Sequence, residues 1–159
     1  MTTPSPQSAA DIRRLTVRIV SDEVVRIISA MAEPFGGDIL RFFIFTAIWT
    51  ANSGHLTSPE RFAQLRDIPP DSQRRPVSEE ALRKTVGVPA AIFDAYLDGL
   101  IASGEVERTP AGLTVPSGVF VRPEMIASAN EFHTRFVNTV MRLRAAGFSF
   151  GDADDHDGD

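Results

Sequence analysis
Four residues, Val86-Gly87-Val88-Pro89, limit what this chain can fold into more than any others. A glycine directly after an apolar helical residue reads as a helix C-cap, and a proline two positions on suits the first position of a new helix. Upstream, Ser78 is a good N-cap. Glu79 and Glu80 place negative charge in the first turn, where the helix macrodipole favours it. Leu82 and Val86, four apart, share one face. Downstream, Phe93, Leu97, Leu100 and Ile101 recur at helical spacing until Gly104. Glu105–Arg108 and Leu113–Pro116 then flank Pro110-Ala111-Gly112, a turn signal between two short strand-like runs. Residues Val77–Pro116 thus predict helix, tight turn, helix and short hairpin.

That order is the order of a winged helix-turn-helix, whose second helix is normally offered to the DNA major groove. The stretch resembles winged-helix regulators of the MarR-like kind, and especially a group of small bacterial regulators with extra helices on either side. The resemblance is carried by Val77-Ser78, Leu82, Val86-Gly87-Val88-Pro89, Leu97, Leu100-Ile101-Ala102, Gly104, Val106 and Gly112-Leu113-Thr114-Val115-Pro116. It covers these forty residues and extends more loosely to the helices before and after. It implies a transcriptional regulator that binds double-stranded DNA as a homodimer joined through its outer helices. A fold of this kind does not fix a function. A winged-helix module that contacts protein instead of DNA is the alternative.

The expected architecture is mainly α with a small β-hairpin wing: a winged helix-turn-helix core between N- and C-terminal helices. Residues 1–7, with Pro4 and Pro6, are expected to be disordered. Residues 8–37 form an N-terminal helical region with Ile12, Leu15, Ile19, Val24, Ile27, Ile28 and Met31 as its stripe, broken near Ser21-Asp22-Glu23. One bent helix or two consecutive ones would fit. Residues 38–121 are the winged-helix domain. Its first helix, Ile39 to Asn52, capped by Asp38, is apolar nearly all round and is expected to be a core helix. Its aromatic residues fill the core or line a pocket for a small-molecule effector. Residues 53–76 are a polar insertion, with a helix start at Ser58-Pro59-Glu60 and about two turns to Asp67. Residues 122–148 are the C-terminal helix, with Ala129, Phe132, Phe136, Val140 and Leu143 on one face. Residues 149–159 are an acidic, disordered tail.

The net charge of −5 is misleading as a guide to partners. Five of the 21 acids lie in the last nine residues, and without them acids and bases balance at 16 each. A neutral body binds DNA only through a local patch. The nearby cations are Arg74 and Arg75 before the motif, Arg83 and Lys84 on its first helix, and Arg108 at the wing. They would supply phosphate contacts, or be solvated charges. The second helix would expose Ala90, Ala91, Asp94, Ala95 and Asp98. It holds no base at all from Pro89 to Ser103, so its acids could serve only as acceptors, for instance from a cytosine amino group.

The residues show no catalytic constellation. The three histidines, His55, His133 and His156, fall in different segments, and no serine stands at a nucleophile elbow. With no cysteine, disulfides and thiolate metal sites are excluded. The acidic tail does not match a calcium loop, because the chain ends before the bidentate glutamate. No metal and no cofactor is expected. The N-terminus lacks a signal-peptide apolar core, and the apolar run Ile39 to Ala51 is too short for a bilayer. No membrane is expected, and the cytoplasm is the expected compartment.

Overall fold
The computed structural model describes residues 9–148 and Phe150, so the expectations for residues 1–7 and for the acidic tail lie outside the described residues. The first helix, α1 (Ala9–Ala32), is a single one of 24 residues. It contains neither proline nor glycine. The polar Asp22-Glu23 step fits because Asp22 pairs with Arg26 one turn on (3.3 Å), while Glu23 faces another helix. A short 3-10 turn, Glu33–Phe35, follows. Gly36 (φ 69°) and Gly37 (φ 79°) then turn the chain in a conformation that glycine adopts without strain.

Helix α2 (Ile39–Ser53) is capped by Asp38, whose carboxylate accepts hydrogen bonds from the backbone N–H of Leu40 (3.1 Å) and Arg41 (3.0 Å). It is only partly the core helix its composition suggested. Ile44, Phe45 and Ile48 are buried, whereas Ile39 and Phe43 are 54% and 49% exposed. Its neighbours α1, α4, α5 and the hairpin cover one side and leave the Ile39–Phe43 edge open. The insertion holds less helix than expected. Helix α3 (Pro59–Phe62) has four residues, Ser58 makes no side-chain cap, and a turn closed between Gln64 and Asp67 takes over.

Helix α4 (Glu79–Val86) begins at Ser78, whose hydroxyl accepts from the Ala81 N–H (3.2 Å), and ends at Gly87 in the left-handed region. Helix α5 (Ala90–Ala102) starts after Pro89, and the two axes turn by 119° across Gly87-Val88-Pro89. Strands β1 (Glu107–Thr109) and β2 (Gly112–Thr114) pair antiparallel, with Arg108 opposite Leu113. Each has three residues where the sequence suggests four, and each is displaced toward the turn at Pro110-Ala111. Val77 adds a bridge on the other side of Leu113. There the backbones approach closely: a Cβ on Gly112 (φ 133°) would sit 2.6 Å from the Val77 carbonyl oxygen. A 3-10 segment, Ser117–Val121, leads into α6 (Pro123–Ala145).

The chain is therefore mainly helical with one small two-stranded antiparallel sheet. Its core is Ile44 and Ile48 of α2, Leu82 and Val86 of α4, Phe93, Leu97 and Leu100 of α5, and Val106, Leu113, Val115 and Val119 around the hairpin. Asn52, fully buried, stitches this core together. Its amide donates to the carbonyls of Arg75 (2.8 Å) and Leu113 (3.0 Å), and its oxygen accepts from the Val115 N–H (2.9 Å).

Helices α1 and α6 pack side by side and antiparallel, since Ser128 meets Ala30 while Arg135 and Arg142 meet Glu23. The face of α6 turned inward is only partly the apolar stripe of the sequence: Leu143 is buried and Ala129 and Val140 are half-buried, but Phe132 and Phe136 are not part of it. Ser128, Thr139 and Leu143 are buried, while Phe132 and Phe136 stack on each other in solvent. Along this seam the buried Glu23 carboxylate pairs with Arg135 (3.2 Å) and Arg142 (3.5 Å), so polar side chains of α6 take part of the inward face. No single helix among the described residues is long and apolar enough to cross a membrane.

Candidate nucleic-acid interface
Phe93, Leu97 and Leu100 anchor α5 in the core, so the opposite side of the helix faces out. Ala90, Ala91, Ile92, Ala95, Asp98 and Gly99 are exposed there. Ile92, 43% exposed, was not anticipated, because its neighbour Phe93 was the periodic residue. Tyr96 turns away from this face toward Asp38. Hydrogen bonding to that carboxylate, the largest cause, together with burial, raises its phenol above the ordinary value.

Asp94 is half-exposed and bound to the Arg83 guanidinium, not presented outward. Arg83 also lies 3.7 Å from Glu79 and 5.6 Å above the Phe93 ring. Its pKa is raised, chiefly by the hydrogen bond to Asp94. Glu79 in turn accepts from Arg108 of β1 at 2.8 Å. Arg108, Glu79, Arg83 and Asp94 thus form one strap from hairpin to α4 to α5. Lys84 stands apart, paired with Glu80 at 2.8 Å and well exposed. An acid accompanies each of these three cations, so charge alternates across this surface. The sequence placed Glu79 only in a helix first turn. Its i,i+4 spacing to Arg83 was readable, but nothing local pointed to Arg108, 29 residues away.

The two adjacent arginines before α4 part company. Arg75 is exposed. Arg74, expected beside it at the DNA face, is inside the molecule: its side chain is 1% exposed and its Nη2 donates to the Pro69 carbonyl (3.0 Å). Residue 74 has extended backbone (φ −80°, ψ 143°), and extended neighbours point to opposite sides. Arg74 is therefore withdrawn from the set of phosphate contacts. The structure gathers Arg83, Asp94 and Arg108, leaves Ala90 and Ala91 on the open face of α5, and removes Arg74. Among the described residues no cluster of three or more histidines and acids is placed to hold a metal ion.

Comparison with family models, with curated proteins and with solved structures finds no match to this chain.

Proposed function
We propose that the chain is a DNA-binding transcriptional regulator of the winged helix-turn-helix type, acting as a homodimer. The observation that carries the reading is the 119° turn between α4 and α5 with the outer face of α5 left uncovered. A crossing of about 90–120° through a short glycine-containing turn is the geometry in which a second helix enters a major groove. The hairpin follows α5 directly, where a wing would lie along the backbone of the duplex.

Recognition would be of an unusual kind. Ala90, Ala91, Ile92 and Ala95 offer apolar contact, which suits thymine methyl groups, and Asp98 can accept from a cytosine amino group. Phosphate contacts fall to Arg75, Lys84 and Arg108, with Arg83 available once it leaves Asp94. Lys84, Arg83 and Arg108 would each exchange an internal acid for a phosphate, so binding is weak and strongly salt-dependent. Two-fold symmetry would double the contacts. The outer helices support a dimer: Val17, Val20 and Val24 form an exposed stripe on α1, as do Phe132, Phe136 and Val137 on α6.

Fluorescence anisotropy with a labelled random duplex tests the reading. The wild-type chain should bind at low salt. Replacing Lys84 and Arg108 with Ala should weaken binding to all sequences alike and flatten the log–log salt slope of the dimer by roughly 4, close to 0.9 for each of the phosphates no longer neutralised by its two protomers. A wild-type chain that does not bind duplex DNA at low salt overturns it. The second reading, a protein-interaction module without DNA readout, is favoured by the internal pairing of Arg83, Lys84 and Arg108. In that case Asp94→Arg would leave DNA binding absent, whereas on the first reading it strengthens non-specific binding.

A further inference from the structure
A cavity of about 630 Å³ lies between the end of α2, the 56–69 segment of the insertion, Phe120 and the first half of α6. That is within the size range of small-molecule sites, roughly 300–1,000 Å³. Its wall is mostly apolar and includes Trp49, Phe62, Ile68, Phe120 and Ile126, with Arg74 at one side. The segment that closes it has no regular structure beyond the four residues of α3.

Arg74 is the anomaly in this wall. Its guanidinium lies 5.1 Å above the Phe120 ring. One N–H group reaches Pro69, but Nε and Nη1 are buried and find no hydrogen-bond acceptor among the described residues. The nearest carboxylate, Asp71, stands 3.4 Å from Nε, is 63% exposed, and already accepts from the Ser117 N–H at 2.7 Å. Burial therefore outweighs Asp71, and the net effect lowers the Arg74 pKa. Asp71 pairs with Arg74 only on the Nε side and from the surface, so Nη1 stays a buried, unused donor of a cation, which is costly. Asp67, the one acid in the wall, closes the Gln64 turn (3.0 Å) and forms no ion pair with Arg74.

We propose that the cavity binds an organic monocarboxylate with an apolar body, its carboxylate on the Arg74 guanidinium and its body against Trp49, Phe62 and Phe120. The planar donor fork of arginine matches a carboxylate, and the aromatic wall matches hydrocarbon. Nε and Nη1 are out of contact with solvent, so admitting the anion requires the wall around Arg74 to give way slightly. The proposal is independent of whether α5 meets DNA.

Trp49 is the only tryptophan of the chain and stands in the wall, so its emission reports binding. Decanoate should change that emission saturably and raise the thermal midpoint. Decanol, neutral and of the same length, should bind at least tenfold more weakly. Arg74→Met should bring decanoate down to the affinity of decanol and leave decanol unchanged. If that variant does not fold, as circular dichroism would tell, the wild-type contrast between decanoate and decanol decides. Equal affinity for the two, or no saturable response to either decanoate or benzoate, overturns the proposal.

Discussion

The interior shared by α2, α4, α5 and the hairpin is built differently from the α1–α6 pair. In the first, Ile44, Ile48, Phe93, Leu100 and Leu113 are fully buried, and Asn52 bonds three backbone groups with both of its donors and its oxygen. In the second, the buried hydrophobic side chains among the described residues of the two helices are Ile19, Ala32 and Leu143, and Glu23 pairs with Arg135 (3.2 Å) and Arg142 (3.5 Å). The first region is closed: its apolar side chains lie out of solvent around one centre. The second is open, with apolar side chains left in water on both helices. The contrast teaches that this chain folds around one centre while leaving apolar side chains of α1 and α6 exposed.

The largest effect should come from the closed region. Phe93→Ala removes the most voluminous fully buried side chain, and a cavity of that kind costs about 3–5 kcal/mol. Urea unfolding would read it as a lowered midpoint. A loss below 1 kcal/mol would mean that α5 is not anchored there, and the contrast would fail at its first step. Asn52→Leu comes next. It leaves the Arg75 carbonyl and the Val115 N–H without their Asn52 partner, whereas the Leu113 carbonyl keeps Val77. One buried orphan at about 1–3 kcal/mol and one partly buried, which costs less, give a loss of about 3 kcal/mol. Faster amide exchange at Val115 would locate the damage at the hairpin.

The legibility of the chain follows the same division. Asp38, Ser78, Gly87 and Pro89 were readable because caps and breaks act within a few residues of sequence. Interactions that depend on direction in space were not. Arg74 and Arg75 look identical in the sequence, and only the extended backbone sends one inward and one outward. Glu23 looked like an interruption of an apolar stripe, yet it faces the seam. Taking α1 as a helix with one stripe also hid Val17 and Val20, which belong to a second one. On α5 the acidic Asp94 read as a surface charge of the wrong sign, whereas it ties α5 to Arg83.

The open region should respond more mildly when its ion pairs are removed. Glu23→Gln takes away the charge that holds Arg135 and Arg142. Both arginines are partly exposed (31% and 48%), so solvent screens the interaction and the cost is about 1 kcal/mol. A loss above that of Asn52→Leu would mean that the seam is as tightly determined as the interior. High salt should reduce the effect of this substitution and leave that of Phe93→Ala unaltered.

The smallest effect on folding should come from Val17→Ser combined with Phe136→Ser. These side chains are 65% and 55% exposed, so each replacement removes little buried surface within one chain. Surface changes of this sort stay within roughly 0.5 kcal/mol apiece. If two copies meet through these stripes, the same side chains become buried, at about 1.5–3 kcal/mol each when burial is complete. In a two-fold assembly each substitution counts twice. Partial burial alone would then weaken association by at least about a hundredfold, since every 1.4 kcal/mol is a factor of ten. Sedimentation equilibrium at micromolar concentration separates the cases. A wild-type dimer that becomes a folded monomer in the variant assigns the open stripes to self-association. A wild-type monomer, or a variant dimer of unchanged stability, would show that the exposed valines and phenylalanines serve no such association, and the distinction between a closed and an open region would reduce to one of packing density.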